Sequence, residues 1–172
     1  ELHFEPRLLD LHIDREAIDA GFEELTGHLT AADRDRLSKA AAKMAVLAKA
    51  PERVARICAD IAAHYLDKVD PNGFGAQVVA YDRESCVRYK EELDKHLPAG
   101  VSEIVMTVNS GETDYNQWKR SRDEEEALLE RFRDPGDPLK ILIVTAKLLT
   151  GFDAPILQTM YLDKPLRDHT LL

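Results

Sequence analysis

Residues 145–155 read TAKLLTGFDAP, where a hydroxyl, a glycine, a carboxylate and a proline follow an apolar stretch at short intervals. The residues leading in, KILIVTA, are the most β-prone run of the sequence, so the chain reaches Thr145 at the end of a strand. There the Thr145 hydroxyl and nearby backbone N–H groups can bond phosphate oxygens without net charge. Gly151 permits a close backbone approach or a positive φ two residues before Asp153, and Pro155 ends the element. A carboxylate at Asp153 suits a ribose hydroxyl. The same run also spells a plain loop between a helix and a strand, with Gly151 as C-cap and Asp153 as the next cap, and spacing alone leaves both readings open.

Other residues with chemical potential read as structural. Trp118, with Lys119, Arg120 and Arg122, can stack on a base and grip phosphate, but docking a loop onto the core is the commoner use of such a tryptophan. The run Glu124 to Glu126 beside Arg131 and Arg133 fits a solvated helix face better than an acid–base pair. Tyr81 and Tyr89 are expected to pack. Cys58 and Cys86 fall in separate predicted helices with no CxxC pair, so both are expected as buried free thiols. The six histidines show no zinc-binding spacing, and no metal site is expected. No GxxxxGK[ST] occurs, so the sequence lacks the loop that would cradle nucleotide phosphates.

The elements that must hold these residues follow from periodicity and punctuation. The opening LHFEPRLLDLHID, with Pro6, reads as an extended arm; Ile13 to His28 reads as a helix, and Thr30 as the cap of the alanine-rich run behind it. Pro51 suits a first helical turn, and Val54, Ile57, Cys58, Ile61, Ala62, Tyr65, Leu66 and Val69 recur behind it at helical steps. After the turn Asp70 to Gly73, Ala76 to Tyr81 reads as a strand buried on both faces. Asp82 can cap the next helix, with Val87, Lys90 or Tyr89, Leu93 and Leu97 inward, and Pro98 and Gly100 stop it. A strand over Glu103 to Val108, a helix with Leu128, Leu129 and Phe132 as its stripe, the KILIVTA strand and a short strand over Gln158 to Leu162 complete the order; Asp168 can begin another helix. Alternating helices and strands demand a parallel sheet, here an α/β layer of RecA-like or Rossmann-like type. Ligands of such sheets bind beyond the carboxyl ends of the strands, which puts Asp82, Asn109 and Thr145 on one functional edge.

Composition sets the outer bounds. At 172 residues with 44% hydrophobic content, the chain holds one α/β core plus an extension: a connector arm and helical extension over 1–50 and a core over 51–172. No apolar run approaches the ~20 residues of a membrane helix, and the start lacks the marks of a signal peptide, so a cytoplasmic location is expected. A net charge of −9 argues against a polyanionic partner, although a groove can be basic on an acidic protein.

ILIVTAKLLTGFDAP, followed by a short strand and LDKPLRDHTLL, resembles motif V and its sequel in the restriction subunits of type I restriction-modification enzymes, which are superfamily 2 translocases. AQVVAYDRESCVRYKEEL resembles their motif IV region, and HFEPRLLDLHID their connector from the first motor domain. The resemblance covers essentially the whole chain and is weakest between Ala17 and Ala50. It implies the second of two RecA-like domains that close around one ATP and its Mg2+ and draw double-stranded DNA across both. By that resemblance Gly151, Asp153 and Thr150 line the nucleotide cleft, Thr145 and the Thr107 to Asn109 loop touch DNA phosphates, Asp82 and Arg83 contact a strand, and Lys147 supports them. The resemblance further implies modification and specificity subunits as partners. The family's phosphate loop, nuclease cluster and motif VI arginines have no counterpart in the sequence, so it is expected to be a fragment that cannot hydrolyse ATP alone. The alternatives are another superfamily 2 helicase or remodeller, and a non-catalytic α/β interaction module.

Overall fold

In a computed structural model the chain is described at residues 3, 5–7, 43–149 and 151–164, and it divides into two compact units, Glu1–Ile57 and Cys58–Leu172. In the first unit, residues 5–7, including Pro6, form no regular element, and residues 43–49 are helical. Ala50 breaks that helix, and its carbonyl accepts from the Val54 amide at 3.0 Å in the first turn of α1, Pro51–His64. Pro51 opens α1, where a missing N–H has no intrahelical partner to lose. The expected helix over Ile13 to His28, the Thr30 cap and the helix start at Asp168 lie outside the described residues.

In the second unit α1 runs into a π turn, Tyr65–Val69, and then a 3-10 turn, Asp70–Asn72, before Gly73 takes a left-handed conformation. The wide turn departs from the expected stripe. It buries Tyr65 and Val69, four apart, and turns Leu66 out to 43% exposure. The Tyr65 hydroxyl donates to Asp70 Oδ1 at 3.0 Å and ties the turn together.

Four strands follow: β1 (Gly75–Val79), β2 (Ser102–Ile104), β3 (Ile141–Val144) and β4 (Leu157–Leu162). Between them stand α2 (Arg83–Leu93) and α3 (Arg122–Arg133). The sheet is parallel throughout in the order β2-β3-β1-β4, the α/β architecture of a RecA-like domain. β1 is central, paired with β3 from Ala76↔Ile141 to Val79↔Val144 and with β4 on its other flank. Every residue of β1 and β3 is buried, as parallel strands covered on both faces require.

The stripe of α3, Leu128, Leu129 and Phe132, packs with Val79, Leu142 and Val144 on one sheet face, joined by Val105, Ala154 and Ile156. Gly75 is needed on that face: a Cβ there would meet the Lys140 carbonyl at 2.9 Å and the Phe132 ring at 3.1 Å. α2 packs on β2 and β3 with Ser85, Cys86, Tyr89 and Leu93 buried; of the expected Lys90 or Tyr89 it is Tyr89 that turns inward, while Val87, also expected inward, is only partly covered. The cap at Asp82 fixes where the helix starts, and that phase points 86, 89, 93 and 97 at the core. β2 ends sooner than its apolar run. Arg120 Nη1 donates to the Ile104 carbonyl at 2.6 Å on its outer edge, and Val105 gives one last bond to Ile143 before the chain leaves the ladder.

Candidate nucleic-acid interface

All four strands deliver their carboxyl ends to one edge of the sheet, where the following loops enclose a groove of about 490 Å³. β1 contributes Tyr81, Asp82 and Arg83; β2 contributes Thr107 and Asn109; β3 contributes Thr145 and Lys147; β4 contributes Lys164. The groove thus gathers six sequence-predicted positions, Asp82, Arg83, Thr107, Asn109, Thr145 and Lys147, from three loops.

Each side chain is held by its own contacts. Asp82 Oδ1 caps α2, accepting from the Ser85 amide and hydroxyl, both at 2.8 Å. Arg83 crosses to the loop after β2, where its guanidinium donates to both oxygens of Glu112 at 2.6 and 2.8 Å and to the Thr107 carbonyl at 3.2 Å. It also sits 4.9 Å above the Tyr115 ring. Glu112 accepts in addition from the Asn109 amide at 2.8 Å and the Asn109 side chain at 3.4 Å. The Arg83 guanidinium foremost, and then the Asn109 amide, hold the Glu112 carboxyl down at about 2. Lys147 reaches back to α3 and pairs with Glu125 at 2.6 Å.

Four groove features were missed in the sequence. Tyr81, expected to pack, is only partly buried and faces the groove, whereas Tyr89 is fully buried. Glu112 and Glu125 neutralise two of its cations, and pairing across elements leaves no local spacing to find. Of the three groove cations, Lys164 has no carboxylate partner among the described residues. The strand-end rule that located the other positions would have found Lys164 had it been applied to the fourth strand. Trp118 stands partly buried in the loop before α3, its ring 6.4 Å from that of Tyr115.

Of the positions read for nucleotide, Gly151 and Asp153 do not line this groove. Beyond Lys147 the loop passes Leu148, a non-glycine residue at φ +68°, whose carbonyl accepts from the buried Gln77 side chain at 3.5 Å. The other Gln77 amide atom, Oε1, is buried without a partner. Gly151 then adopts φ +72° and, among the described residues, no atom lies within 4 Å of where a Cβ would stand, so within them the glycine serves the left-handed turn and not a close approach. Asp153 is exposed, and its carbonyl accepts from Arg133 Nε at 3.4 Å while that guanidinium covers the Phe152 ring at 5.3 Å. Gly151 and Asp153 therefore lie on a turn beside the end of α3, apart from the groove residues, and Thr150 lies outside the described residues. None of the described helices is long and apolar enough to cross a membrane.

Comparison with known proteins adds relatives to this geometry. Residues 76–172 match the sequence model of type I restriction enzyme subunit R domain 3-like proteins. The chain is 29% identical, over 99% of its length, to a putative type I restriction enzyme MjaIXP endonuclease subunit of Methanocaldococcus jannaschii. It is 36% identical over 81% of its length to the putative MjaVIIP endonuclease subunit of the same organism. It is also 36% identical over 70% of its length to the type I restriction enzyme HindI endonuclease subunit of Haemophilus influenzae. These matches span 17%, 15% and 12% of the respective relatives.

Proposed function

Because this chain belongs to the family of type I restriction enzyme R subunits, we propose that it is the second RecA-like half of an ATP-driven DNA translocase, with the sheet-edge groove as its DNA track. Support comes from one observation: loops from all four strand ends converge on a groove lined by hydroxyl, carboxamide and cationic groups. Those are the donors that hold a phosphodiester backbone without reading its sequence. Thr107, Asn109 and Thr145 offer neutral donors, Arg83, Lys147 and Lys164 supply charge, and Asp82 orients α2 beneath them.

In this reading the turn at Gly151 to Asp153 forms the far wall of the ATP cleft. Gly151 is locked in a turn with open space beside it and Asp153 is exposed, which suits backbone approach to a nucleotide and a hydrogen bond to a ribose hydroxyl. ATP supplies the free energy that closes the two motor halves. Its phosphates and Mg2+ would be held by a phosphate loop on a first motor domain, since this sequence contains none. The whole enzyme would work in the cytoplasm, with modification and specificity subunits choosing the DNA on which it pulls and cuts.

The test is a salt titration of binding to a mixed-sequence DNA duplex. The 172-residue chain should bind weakly, and Lys147→Ala or Lys164→Ala should each flatten the slope of log K against log salt by about 0.9. Binding that ignores salt, or slopes unmoved by both substitutions, would overturn the DNA reading. The chain alone should show no ATPase activity. In a protein carrying both motor halves, Gly151→Val or Asp153→Ala should abolish DNA-stimulated ATP turnover, and unchanged turnover would remove these two residues from the cleft.

A further inference from the structure

Glu112 stands in an unusual position for a surface carboxylate. Its two oxygens take both outer nitrogens of the Arg83 guanidinium, the Asn109 backbone amide and the Asn109 carboxamide, at 2.6, 2.8, 2.8 and 3.4 Å. A guanidinium fork converging with a backbone N–H is the donor set that recognises a phosphate, because carboxylate and phosphate present the same pair of acceptor oxygens to it. Arg83 and Asn109 both line the groove, one from each of two loops, whereas Glu112 is not among its lining residues. We propose that Arg83 and Asn109 form a phosphate-binding cradle which the chain fills with its own Glu112, so that a DNA backbone phosphate enters by displacing that carboxylate.

This inference rests on the DNA reading of the groove and adds a self-occupied subsite to it. Several observations make the exchange feasible. The side chains of Arg83 and Glu112 remain 33% and 29% exposed, so the displaced carboxylate moves into water and strands no buried charge. Gly111, at φ +94°, precedes Glu112 and gives the loop a pivot. Arg83 keeps its bond to the Thr107 carbonyl and its seat over Tyr115, which hold the guanidinium in place as its anion changes. With its carboxyl held at about 2, Glu112 is ionised wherever duplex DNA persists, so a competing anion, not a proton, empties the cradle. Such a cradle disfavours loose anions and yields to a strand that engages Lys147 and Lys164 at the same time.

The experiment compares the chain with Glu112→Gln and with Arg83→Ala/Glu112→Gln in two titrations. One follows the Asn109 amide signal by NMR as inorganic phosphate is added; the other measures affinity for a DNA duplex at fixed salt. Glu112→Gln should lower the phosphate needed to move the Asn109 signal and tighten DNA binding roughly three- to tenfold, the effect of removing one exposed competing charge. The double variant should lose both gains. In the unaltered chain the Asn109 signal should still move at higher phosphate, a measurement that depends on no variant folding. An Asn109 signal indifferent to phosphate in both proteins overturns the cradle even if DNA binds, and so, where the unaltered chain binds DNA, does a Glu112→Gln protein that binds it no more tightly. A signal that responds to phosphate in a chain that never binds DNA upholds the anion cradle while the DNA reading of the groove fails.

Discussion

Asp82 joins a strand end to a helix start with a single oxygen, which accepts from both the amide and the hydroxyl of Ser85. Removing it leaves an N-terminal amide of α2 and the buried Ser85 hydroxyl without their acceptor. Asp82→Ala should therefore cost about 1 kcal/mol, read as a lower urea midpoint with an unchanged slope. Glu112 makes a second residue-scale expectation, on pH. Its folded value, about 2, lies below the ordinary 4.5, so its pairing stabilises fully above about 4.5 and is lost as pH falls towards 2. Asp137, held down by Arg131, and Glu124, held down by the Ser121 amide, shift in the same direction. Thermal melts should be flat above that window and decline through it, less steeply in Glu112→Gln; an identical decline in both proteins would show that the pairing is absent in solution.

At the scale of elements, legibility tracked how local the determining contact was. The stripe of α3 and the apolar run of β3 are written in consecutive residues, and both stand where the sequence puts them. The Asp82 cap acts three residues away and was legible too. The π turn at Tyr65–Val69 was not: it packs on β1 and is tied to Asp70, contacts of the folded chain that helical periodicity does not spell. Nor was the early end of β2, which depends on Arg120 from a loop sixteen residues on. Pairing between elements also explains why Glu112 and Glu125 escaped notice. The two thiols were legible as buried, and they now report on one layer: Cys58 Sγ lies 3.8 Å from the Tyr89 carbonyl of α2, and burial pushes the Cys86 thiol up to about 12 and raises Cys58 as well. Neither should react with an aromatic disulfide reagent until α1 and α2 open, so labelling should keep pace with global unfolding in urea. Rapid labelling of the folded chain would show that this layer opens by itself.

For the whole molecule, net charge says little about the groove, because charge is arranged, not averaged. The −9 total coexists with a groove where Arg83, Lys147 and Lys164 face one carboxylate of the lining, Asp82, itself engaged as a cap. Two of those cations are neutralised from just outside by Glu112 and Glu125, which moderates the field without removing the donors. The strand order carries a different kind of consequence. Of the four described strands β1 is translated first and stands at the centre, yet both its neighbours, β3 and β4, are encoded far downstream. Until they arrive, a wholly apolar-flanked strand has two unsatisfied hydrogen-bonding edges and no cover. Pairing of this sheet must therefore wait on long-range closure, and the nascent chain carries its future central strand unpaired until β3 and β4 have been made, a slower order of assembly than the modest size of the sheet would suggest.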